Sequence, residues 1–223
     1  MPFDQKLEQE RTRYNEAIAA LERPDNSHRE KSVESIEKLA KEKFPAAMYS
    51  LAMWQIAGEE GISKDPAGGL ALLQKAAKEN YGPALFQIAS RLIKGQDFPV
   101  DLERGLKMMQ EAATLGSRSA EYYLGQAYRD GIAVPRDPER VKRYFRLCAA
   151  GGVPRCQLLL GNLLIASSGR EGDRLQAVAW IRLAADQGLA EARDLANRQQ
   201  ASLTPAESAT VRTWMNQLAH KAN

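Results

Sequence analysis

Thiol and imidazole groups are the most reactive side chains in this sequence, which has two of each. Cys148 and Cys156 are too few for a disulfide framework, and so low a cysteine content fits a reducing compartment. His28 and His220 stand near opposite ends of the chain in polar surroundings, and neither has a partner at a spacing typical of metal ligands. We therefore expect both histidines at the solvated surface and no metal site.

The motifs that mark common catalytic sites are missing. No G-x-S-x-G nucleophile elbow, H-E-x-x-H zinc motif or phosphate-binding loop occurs. The many Glu residues belong to helical faces, where Lys or Arg partners four residues away are expected. The sequence therefore predicts a protein that is not an enzyme and that needs no cofactor.

The charged residues are balanced and dispersed. The 223 residues include 31 basic and 28 acidic side chains, for a net charge of +3, so no basic patch dominates in the way that phosphate-backbone binding demands. Nucleic acid is not an expected partner. The longest apolar stretches, such as residues 158–166, are far shorter than the roughly 20 residues that span a bilayer. The charged opening segment lacks an apolar signal core, so we expect a cytoplasmic protein, or a periplasmic one if a signal peptide has been removed.

Certain residues recur along the chain at a nearly constant interval. One ladder, with spacings of 37, 36, 36 and 36 residues, consists of Ala47, Ala84, Ala120, Cys156 and Ala192. A second ladder keeps the same phase through the pairs Ala76-Ala77, Ala112-Ala113, Cys148-Ala149 and Ala184-Ala185. A third consists of Asp65, Asp101, Asp137 and Asp173. Three ladders in fixed phase indicate internal structural repeats.

Each repeat is predicted to contain two amphipathic helices. The four ladder Asp residues are predicted N-caps of the second helices, because an Asp carboxylate accepts hydrogen bonds from the free N–H groups of a first turn. Pro66 and Pro138 fit the helical position that follows. In the first helices, one position holds Ala52, Ala89, Gly125 and Gly161. Gly inside a helix costs about 1 kcal/mol relative to Ala, so we expect two helices to cross closely there. Such pairs bury their apolar faces only by stacking, which predicts an all-α solenoid.

One segment carries a specific repeat signature. The pattern A-x-Y-x-L-G-x-x-Y-x-x-G runs from Ala120 to Gly131, and the sequence AADQG occupies Ala184 to Gly188. Over about residues 46–192 the chain resembles the Sel-one-like repeat family, which is related to the tetratricopeptide repeats. Tetratricopeptide repeats are about 34 residues long, and RNA-reading pentatricopeptide repeats are similar, so a longer period with these glycines favours the Sel-one-like family.

The resemblance implies the fold in more detail. It implies a right-handed superhelical solenoid of antiparallel helix pairs, in which Gly58, Gly95 and Gly131 close successive first helices. The fourth repeat has Ser167 at that position, which leaves its loop geometry open. We expect a divergent leading repeat or cap in residues 1–45, repeats at about 46–82, 83–118, 119–154 and 155–190 within residues 46–192, and capping helices in residues 193–223. Thr204 and Glu207 offer a capping box before the last helix.

The two cysteines occupy positions that are Ala in the other repeats, on either side of a helix-to-helix turn. The simpler interpretation of Cys148 and Cys156 is a pair of small buried thiols. The alternative, which the resemblance implies, is a disulfide that clamps adjoining helices, because cysteine-rich relatives bridge similar eight-residue spacings. That alternative requires an oxidising compartment.

Partner contacts are expected where a helical face is shared but its side chains differ between repeats. Positions equivalent to 50, 53, 54 and 57 share one side of each first helix. The candidates on this face, which we call the first-helix stripe, are Met53, Trp54, Gln87, Ser90, Arg91, Lys94, Tyr123, Gln126, Asp130 and Asn162. We expect the stripe to line a concave surface, since solenoids commonly bind there and Trp, Tyr and Arg are typical of hot spots. The alternative is that Trp54, Leu159 and Leu163 only complete the packing between repeats.

The favoured function is a non-catalytic protein-interaction module, a scaffold, adaptor or regulator. Its partner is expected to be a protein, whether an effector, an enzyme or an assembly component. The resemblance implies bacterial adaptors, signalling or envelope-assembly regulators, and immunity proteins that neutralise a secreted toxic effector by direct binding. An RNA-binding helical repeat and an accessory domain of an enzyme are the less favoured alternatives.

Overall fold

The computed structural model describes residues 3–23, 28–167 and 171–222, which form twelve α-helices and no strand. The chain divides into two compact units, Met1–Ser117 and Arg118–Asn223. Unit 1 contains α1 (Phe3–Leu21), α2 (Arg29–Lys41), α3 (Pro45–Ala57), α4 (Pro66–Lys78), α5 (Gly82–Lys94) and α6 (Leu102–Thr114). Unit 2 contains α7 (Arg118–Asp130), α8 (Pro138–Ala150), α9 (Pro154–Ser167), α10 (Glu171–Asp186), α11 (Ala190–Ala201) and α12 (Pro205–Ala222). Among the described residues, no helix combines the length and the apolar character needed to cross a bilayer.

Within each unit, helices pack as consecutive pairs. In unit 1, α3 packs against α4 and α5 against α6, while α2 and α4 also contact the first helix that follows them. Unit 2 repeats this arrangement with α7 on α8, α9 on α10, and α8 and α10 on the following helix. The predicted ladder of small residues lies in the core, since all of its members are fully buried: Ala47, Ala84, Ala120, Cys156 and Ala192. Small side chains at these positions let neighbouring helices approach closely.

The predicted Asp caps are confirmed in three repeats and wrong in the fourth. The side chains of Asp65, Asp101 and Asp137 accept hydrogen bonds from the backbone N–H three residues later, at 2.9, 3.0 and 3.0 Å. Asp173 is not a cap, because α10 begins two residues earlier, at Glu171. Its carboxylate instead lies in the first turn of α10, where a negative charge stabilises the helix by interacting with the helix dipole. The intervening residues 168–170 of that linker lie outside the described residues.

The first helices end as predicted in three repeats. Gly58, Gly95 and Gly131 have left-handed backbones with φ of 78°, 66° and 76°. In the fourth repeat, α9 continues through Ser167, whose hydroxyl donates to the carbonyl of Leu163 at 2.8 Å. Ser167 is still helical, so α9 does not end before this position as the first helices of the other three repeats do.

A second set of left-handed residues, which the sequence patterns did not reveal, ends the second helices. Their φ angles are 66°, 57°, 79°, 82° and 89°, at Lys43, Asn80, Gly116, Gly152 and Gly188. Each is followed by a backbone N–H that reaches back to the last turn, as in the 2.9 Å bond from Phe44 to the carbonyl of Leu39. Three of the five positions are glycine, whereas Lys43 carries a full side chain in a conformation that costs L-residues about 1–2 kcal/mol.

The predicted close crossing of helices is confirmed at Gly125 and Gly161. A Cβ atom on Gly125 would lie 2.4 Å from Cε1 of Phe145, and one on Gly161 would lie 2.5 Å from Cγ1 of Ile181. Phe145 and Ile181 are fully buried. The missing methyl group therefore makes room for a large core side chain of the second helix.

The last helix departs from the repeat pattern. It packs mainly against α10 and also contacts α8, rather than pairing with α11 as other second helices pair with their first helices. Val211 and Leu218 of α12 are buried, as are Leu175 and Ala179 of α10. The positions equivalent to these α10 residues are exposed in α6 and α8, where they hold Glu103, Lys107, Glu139 and Arg143. Helix α12 therefore covers the outward face of α10.

The start of α12 is fixed by the predicted capping box. The Thr204 N–H donates to Oε2 of Glu207 at 2.7 Å, and the Glu207 N–H donates to Oγ1 of Thr204 at 3.3 Å. Arg174 of α10 pairs with the same glutamate. These bonds hold the pKa of Glu207 below its usual range, with the backbone bond from Thr204 as the largest contribution.

Candidate protein interface

The unit 1 part of the first-helix stripe lies on α3 and α5. Met53, Trp54, Gln87 and Ser90 are half-buried and Lys94 is exposed, whereas the sixth member, Arg91, is buried. Half-buried side chains are fixed by their neighbours and still present one face to solvent. This part of the stripe therefore offers an apolar end on α3 and a polar end on α5.

Arg91 is part of a buried hydrogen-bond network. Its side chain is 8% exposed, and its Nε donates to Oδ2 of Asp97 at 3.1 Å. Its Nη1 donates to Oε1 of Gln87 at 2.8 Å and to the Gln87 carbonyl oxygen at 3.3 Å. Arg91 thus holds Gln87 and the loop after α5 in place. It is placed to orient the stripe more than to contact a partner.

Sequence reasoning missed one residue of this face. The Tyr14 hydroxyl of α1 lies 2.9 Å from Oγ of Ser50, and its ring centroid lies 5.6 Å from that of Phe44. Tyr14 stands 36 residues before Ser50, so extending the repeat period into the divergent leading segment would have found it. A neighbouring pair, Tyr49 and Tyr81, has centroids 5.6 Å apart. Burial raises the pKa of Tyr81 to about 12, with smaller contributions from Tyr14 and Tyr49, so this hydroxyl is neutral at physiological pH.

The unit 2 part of the stripe lies on α7 and α9. Tyr123 and Gln126 are half-buried, and Asp130 and Asn162 are exposed. Burial raises the pKa of Tyr123, which keeps its hydroxyl neutral and able to donate. The side-chain amide of Gln126 donates to the Tyr122 hydroxyl at 2.7 Å. Tyr123, Gln126 and Asn162 thus present neutral hydrogen-bond donors and acceptors beside an aromatic ring.

The exposed acid of this part is already paired. Asp130 accepts two hydrogen bonds from the Arg129 guanidinium, at 2.8 and 2.9 Å. The bond from Arg129 holds the pKa of Asp130 below its usual range, so the carboxylate stays ionised. Asp130 and Arg129 thus form a surface ion pair, which contributes little net charge to the stripe.

The apolar stripe positions differ from the core positions beside them. Leu159 and Leu163 of α9 are half-buried, and so is Trp54 of α3. Their neighbours Leu160 and Leu164 are only 0% and 2% exposed. The packing between helices therefore leaves part of each stripe residue open to solvent.

The two cysteines form a disulfide that joins α8 to α9. Their Cα atoms are 5.7 Å apart, and both residues are fully buried. The bond thus connects the second helix of one repeat to the first helix of the next, in the interior of unit 2.

Unit 2 also buries one acidic side chain, Glu121, at 2% exposure. It accepts two 3.0 Å hydrogen bonds from Nη1 of Arg118. Burial raises the pKa of Glu121, and Arg118 only partly opposes this effect. One repeat later the equivalent residue is the neutral Gln157, which is also buried and accepts from the amide of Gln187 at 3.0 Å.

We expect Glu121→Gln to leave the free energy of unfolding at pH 7 unchanged or to raise it by up to about 1 kcal/mol. A carboxyl group whose pKa is raised by folding stabilises the fold most below its unfolded-state pKa, and that contribution disappears as pH rises through the folded-state pKa. The variant should therefore show a flatter decline in stability between acidic and neutral pH, measured by urea unfolding across that range. A large loss at pH 7 would show that the charged pair with Arg118 outweighs the burial cost, and Glu121→Ala is the reference for full removal.

Residues suited to metal binding are scattered. Within the described ranges, His, Cys, Asp and Glu residues form no group of three or more that could hold an ion. His28 is exposed, and the side chain of His220 lies outside the described residues.

Comparison with known proteins identifies the repeat. A family model described as the Sel1 repeat matches residues 45–81, 82–117, 118–153 and 154–189. The fold is similar to that of a Sel1 repeat protein from Oxalobacter formigenes, with a TM-score of 0.69 and 23% identity over 96% of this chain and 88% of that one. It is also similar to that of the immunity protein Pa5087 from Pseudomonas aeruginosa, with a TM-score of 0.61 and 20% identity over 96% and 81% of the two chains. These likenesses show the fold, a Sel1-type solenoid.

Among curated proteins, the alginate biosynthesis protein AlgK of Pseudomonas aeruginosa is 29% identical over 187 residues, which cover 67% of this chain and 38% of AlgK. A Neisseria meningitidis protein, NMB1327, is 29% identical over 160 residues, which cover 72% of this chain and 32% of that protein. The chain thus spans less than two fifths of the length of these curated relatives.

Proposed function

Because the chain belongs to the Sel1 repeat family, whose members are protein-interaction modules, we propose that it is a non-catalytic module that binds a protein partner through the first-helix stripe. The partner side chains would pack on Trp54 and Met53 in unit 1 and on Tyr123 in unit 2. Gln87, Ser90, Gln126 and Asn162 would supply hydrogen bonds. The role of scaffold, adaptor or regulator belongs to this same proposal.

The observation that carries the proposal is the half-burial of the stripe aromatics and amides. Trp54 and Tyr123 sit in repeat positions that differ in identity between repeats, and neither is enclosed in the core. A half-buried aromatic side chain has lost much of its rotamer freedom before binding, so covering its open face costs little further entropy. Partly exposed Trp and Tyr residues are the most frequent energetic centres of protein interfaces.

Affinity capture from the native cell, followed by titration of the captured partner, tests this function. We expect Trp54→Ala together with Tyr123→Ala to weaken partner binding by about 2 kcal/mol or more, which is roughly thirtyfold in Kd. Ile132→Ala is the matched control, because Ile132 is 52% exposed in the loop after α7 and lies off the stripe. Arg91 is left intact because its replacement would disturb the Gln87 network. Equal affinity of the wild type and the double variant would reject the stripe as the binding surface.

An immunity role is the second candidate. The supporting observation is the similarity in fold to the immunity proteins Pa5087 and PA5088 from Pseudomonas aeruginosa, each of which matches 96% of this chain. In this role the partner would be a secreted toxic effector that the stripe neutralises by direct binding. Co-expression decides between the two: a captured partner that arrests growth alone and is harmless with the wild-type chain supports immunity. A partner that is harmless by itself supports the scaffold or adaptor role.

A further inference from the structure

A groove in unit 1, apart from the first-helix stripe, has the lining of a docking site. The groove has a volume of about 570 Å³ and opens between α2 and α4, above α3. Its apolar floor consists of Ala40, Met48, Leu51 and Leu72. Its charged lining consists of Lys41, Lys43, Lys75, Lys78 and Glu79. We call this feature, defined by these nine residues, the basic groove.

The repeat architecture itself generates this groove. A second groove, of about 300 Å³, opens between α4 and α6. Five of its lining residues stand 36 or 37 positions after basic-groove residues: Ala77, Lys78, Leu85, Ile88 and Met108. Two successive second helices therefore leave an apolar trough above the first helix between them. What distinguishes the basic groove is its four lysines.

In unit 2, a helix packs against the second helices, mainly against α10. Helix α12 packs against α10 and contacts α8, and it buries Val211 and Leu218. The second helices α8 and α10 are the unit 2 counterparts of α2 and α4. The second helices of this fold thus accept a packed helix of 18 residues.

The charge of the basic groove selects the occupant. All four lysines are exposed, and none of them forms an ion pair with another described residue. One acidic side chain, Glu79, lies among them. Apolar floor and basic rim together complement a helix that has one apolar face and acidic flanks.

Lys43 lies on the rim of the groove at a backbone position that glycine suits better. It holds φ of 66° at the end of α2, where three later repeats have glycine. Glycine would adopt this conformation at lower cost, so a lysine here sacrifices stability for its side chain.

We propose that the basic groove docks an amphipathic helix of a partner protein, with its apolar face against Met48, Leu51 and Leu72 and its acidic side chains beside Lys41, Lys43, Lys75 and Lys78. This surface is additional to the first-helix stripe. On α3 the groove uses positions 48 and 51, whereas the stripe uses positions 53 and 54.

The test measures fluorescence anisotropy of a labelled synthetic peptide, equal in length to α12, with Leu at helical i, i+3, i+4 and i+7 spacing and Glu on its flanks. We expect binding to the full chain with a Kd in the micromolar range, and at least about tenfold weaker binding of two control peptides. One control carries Lys in place of Glu, and the other has the same composition with the Leu residues spread around the helix. Binding of all three peptides within about twofold of one another, or of none at about 1 mM, overturns the proposal.

Two glycine variants separate docking from folding. Lys43→Gly relieves the strained backbone, so it is expected to raise the Tm and yet to weaken binding of the acidic peptide by about threefold in Kd. The double variant Lys41→Gln with Lys75→Gln is expected to weaken binding of the same peptide by about tenfold in Kd. Asn80→Gly, the matched control, relaxes the equivalent position outside the basic groove, so it should raise the Tm and leave the Kd unchanged. Lysine variants that bind the peptide as tightly as the wild type contradict the proposal.

Two competing occupants are distinguished in the same assay. If a single-stranded RNA oligonucleotide displaces the peptide and binds more tightly, the lysines bind a polyanion. That result would overturn the proposal that the groove docks a helix. If the chain self-associates in sedimentation and the peptide abolishes this association, the groove binds a second copy of the chain. That result would overturn the proposal of a different partner protein. If neither RNA nor a second copy of the chain competes with the peptide, and the lysine variants bind the peptide more weakly, the proposed occupant is established.

Discussion

Replacing Gly125 with alanine is expected to lower the free energy of unfolding by about 1–3 kcal/mol, although Gly→Ala inside a helix ordinarily raises it by about 1 kcal/mol. The new methyl group would lie 2.4 Å from Cε1 and 2.6 Å from Cδ1 of Phe145. The Phe145 ring is fully buried, so it has no open space into which to move. Overpacking therefore exceeds the gain in helix propensity. Urea unfolding followed by circular dichroism measures the difference.

A compensating variant tests the cause of this loss. In the first repeat, Ala52 occupies the position of Gly125 and Leu73 that of Phe145. Gly125→Ala with Phe145→Leu recreates that pair and is expected to recover at least half of the lost stability. Gly172→Ala is the matched control, because no atom of the described residues outside the adjoining helix backbone lies within 4 Å of its added methyl group, so it should be neutral or stabilising. Additive losses in the double variant would show that the ring contact is not the cause.

Removing the disulfide is expected to have the other large effect. Cys148 and Cys156 are eight residues apart, and closing a loop of this length stabilises a fold by about 2.5 kcal/mol in the chain-entropy description. Cys148→Ala with Cys156→Ala should lower the free energy of unfolding by about that amount. Alanine fits both sites, because it occupies the equivalent positions in the other three repeats, at residues 76, 112 and 184 for Cys148 and at residues 47, 84 and 120 for Cys156. The loss should therefore report the cross-link with little effect of packing.

Reduction distinguishes the bond from the side chains. Dithiothreitol should lower the Tm of the wild type to that of the double alanine variant and leave the variant unchanged. We propose that the bond is present in the native protein, which requires that the protein fold in an oxidising compartment. Protein from its native cell that shows two free thiols on alkylation under denaturing conditions would contradict this proposal.

The repeat period allowed much of the fold to be predicted from local patterns. Three Asp caps and three left-handed glycines follow from residues within one or two turns of each other, and two close helix crossings follow from the small residues that recur at one position of the period. Asp173 failed because a cap depends on where the helix starts, and α10 starts at Glu171. Tyr14 was missed because the leading repeat has diverged, although its position in the period is intact.

The candidate surfaces were less predictable. Arg91 has the identity of a hot-spot residue, yet its burial with Gln87 and Asp97 depends on the loop after α5 folding back to it. The basic groove has residues from three helices, and of its four lysines only Lys41 and Lys78 stand one repeat apart. The place of α12 on α10 and α8 also depends on packing between distant segments.

The sequence by itself determined the all-α repeat architecture, its period and most helix ends, because caps, turns and amphipathic periodicity are local and the repeats reinforce one another. Only the tertiary structure decided which stripe residues stay open to solvent, that Lys43 stands beside an apolar trough, and that α12 covers one outward face. Those outcomes depend on contacts between residues far apart in the chain, where side-chain volume and competition for burial determine which surface is left over. For the two cysteines, the sequence left open whether they are free thiols or a disulfide, and in the structure they form a disulfide between α8 and α9.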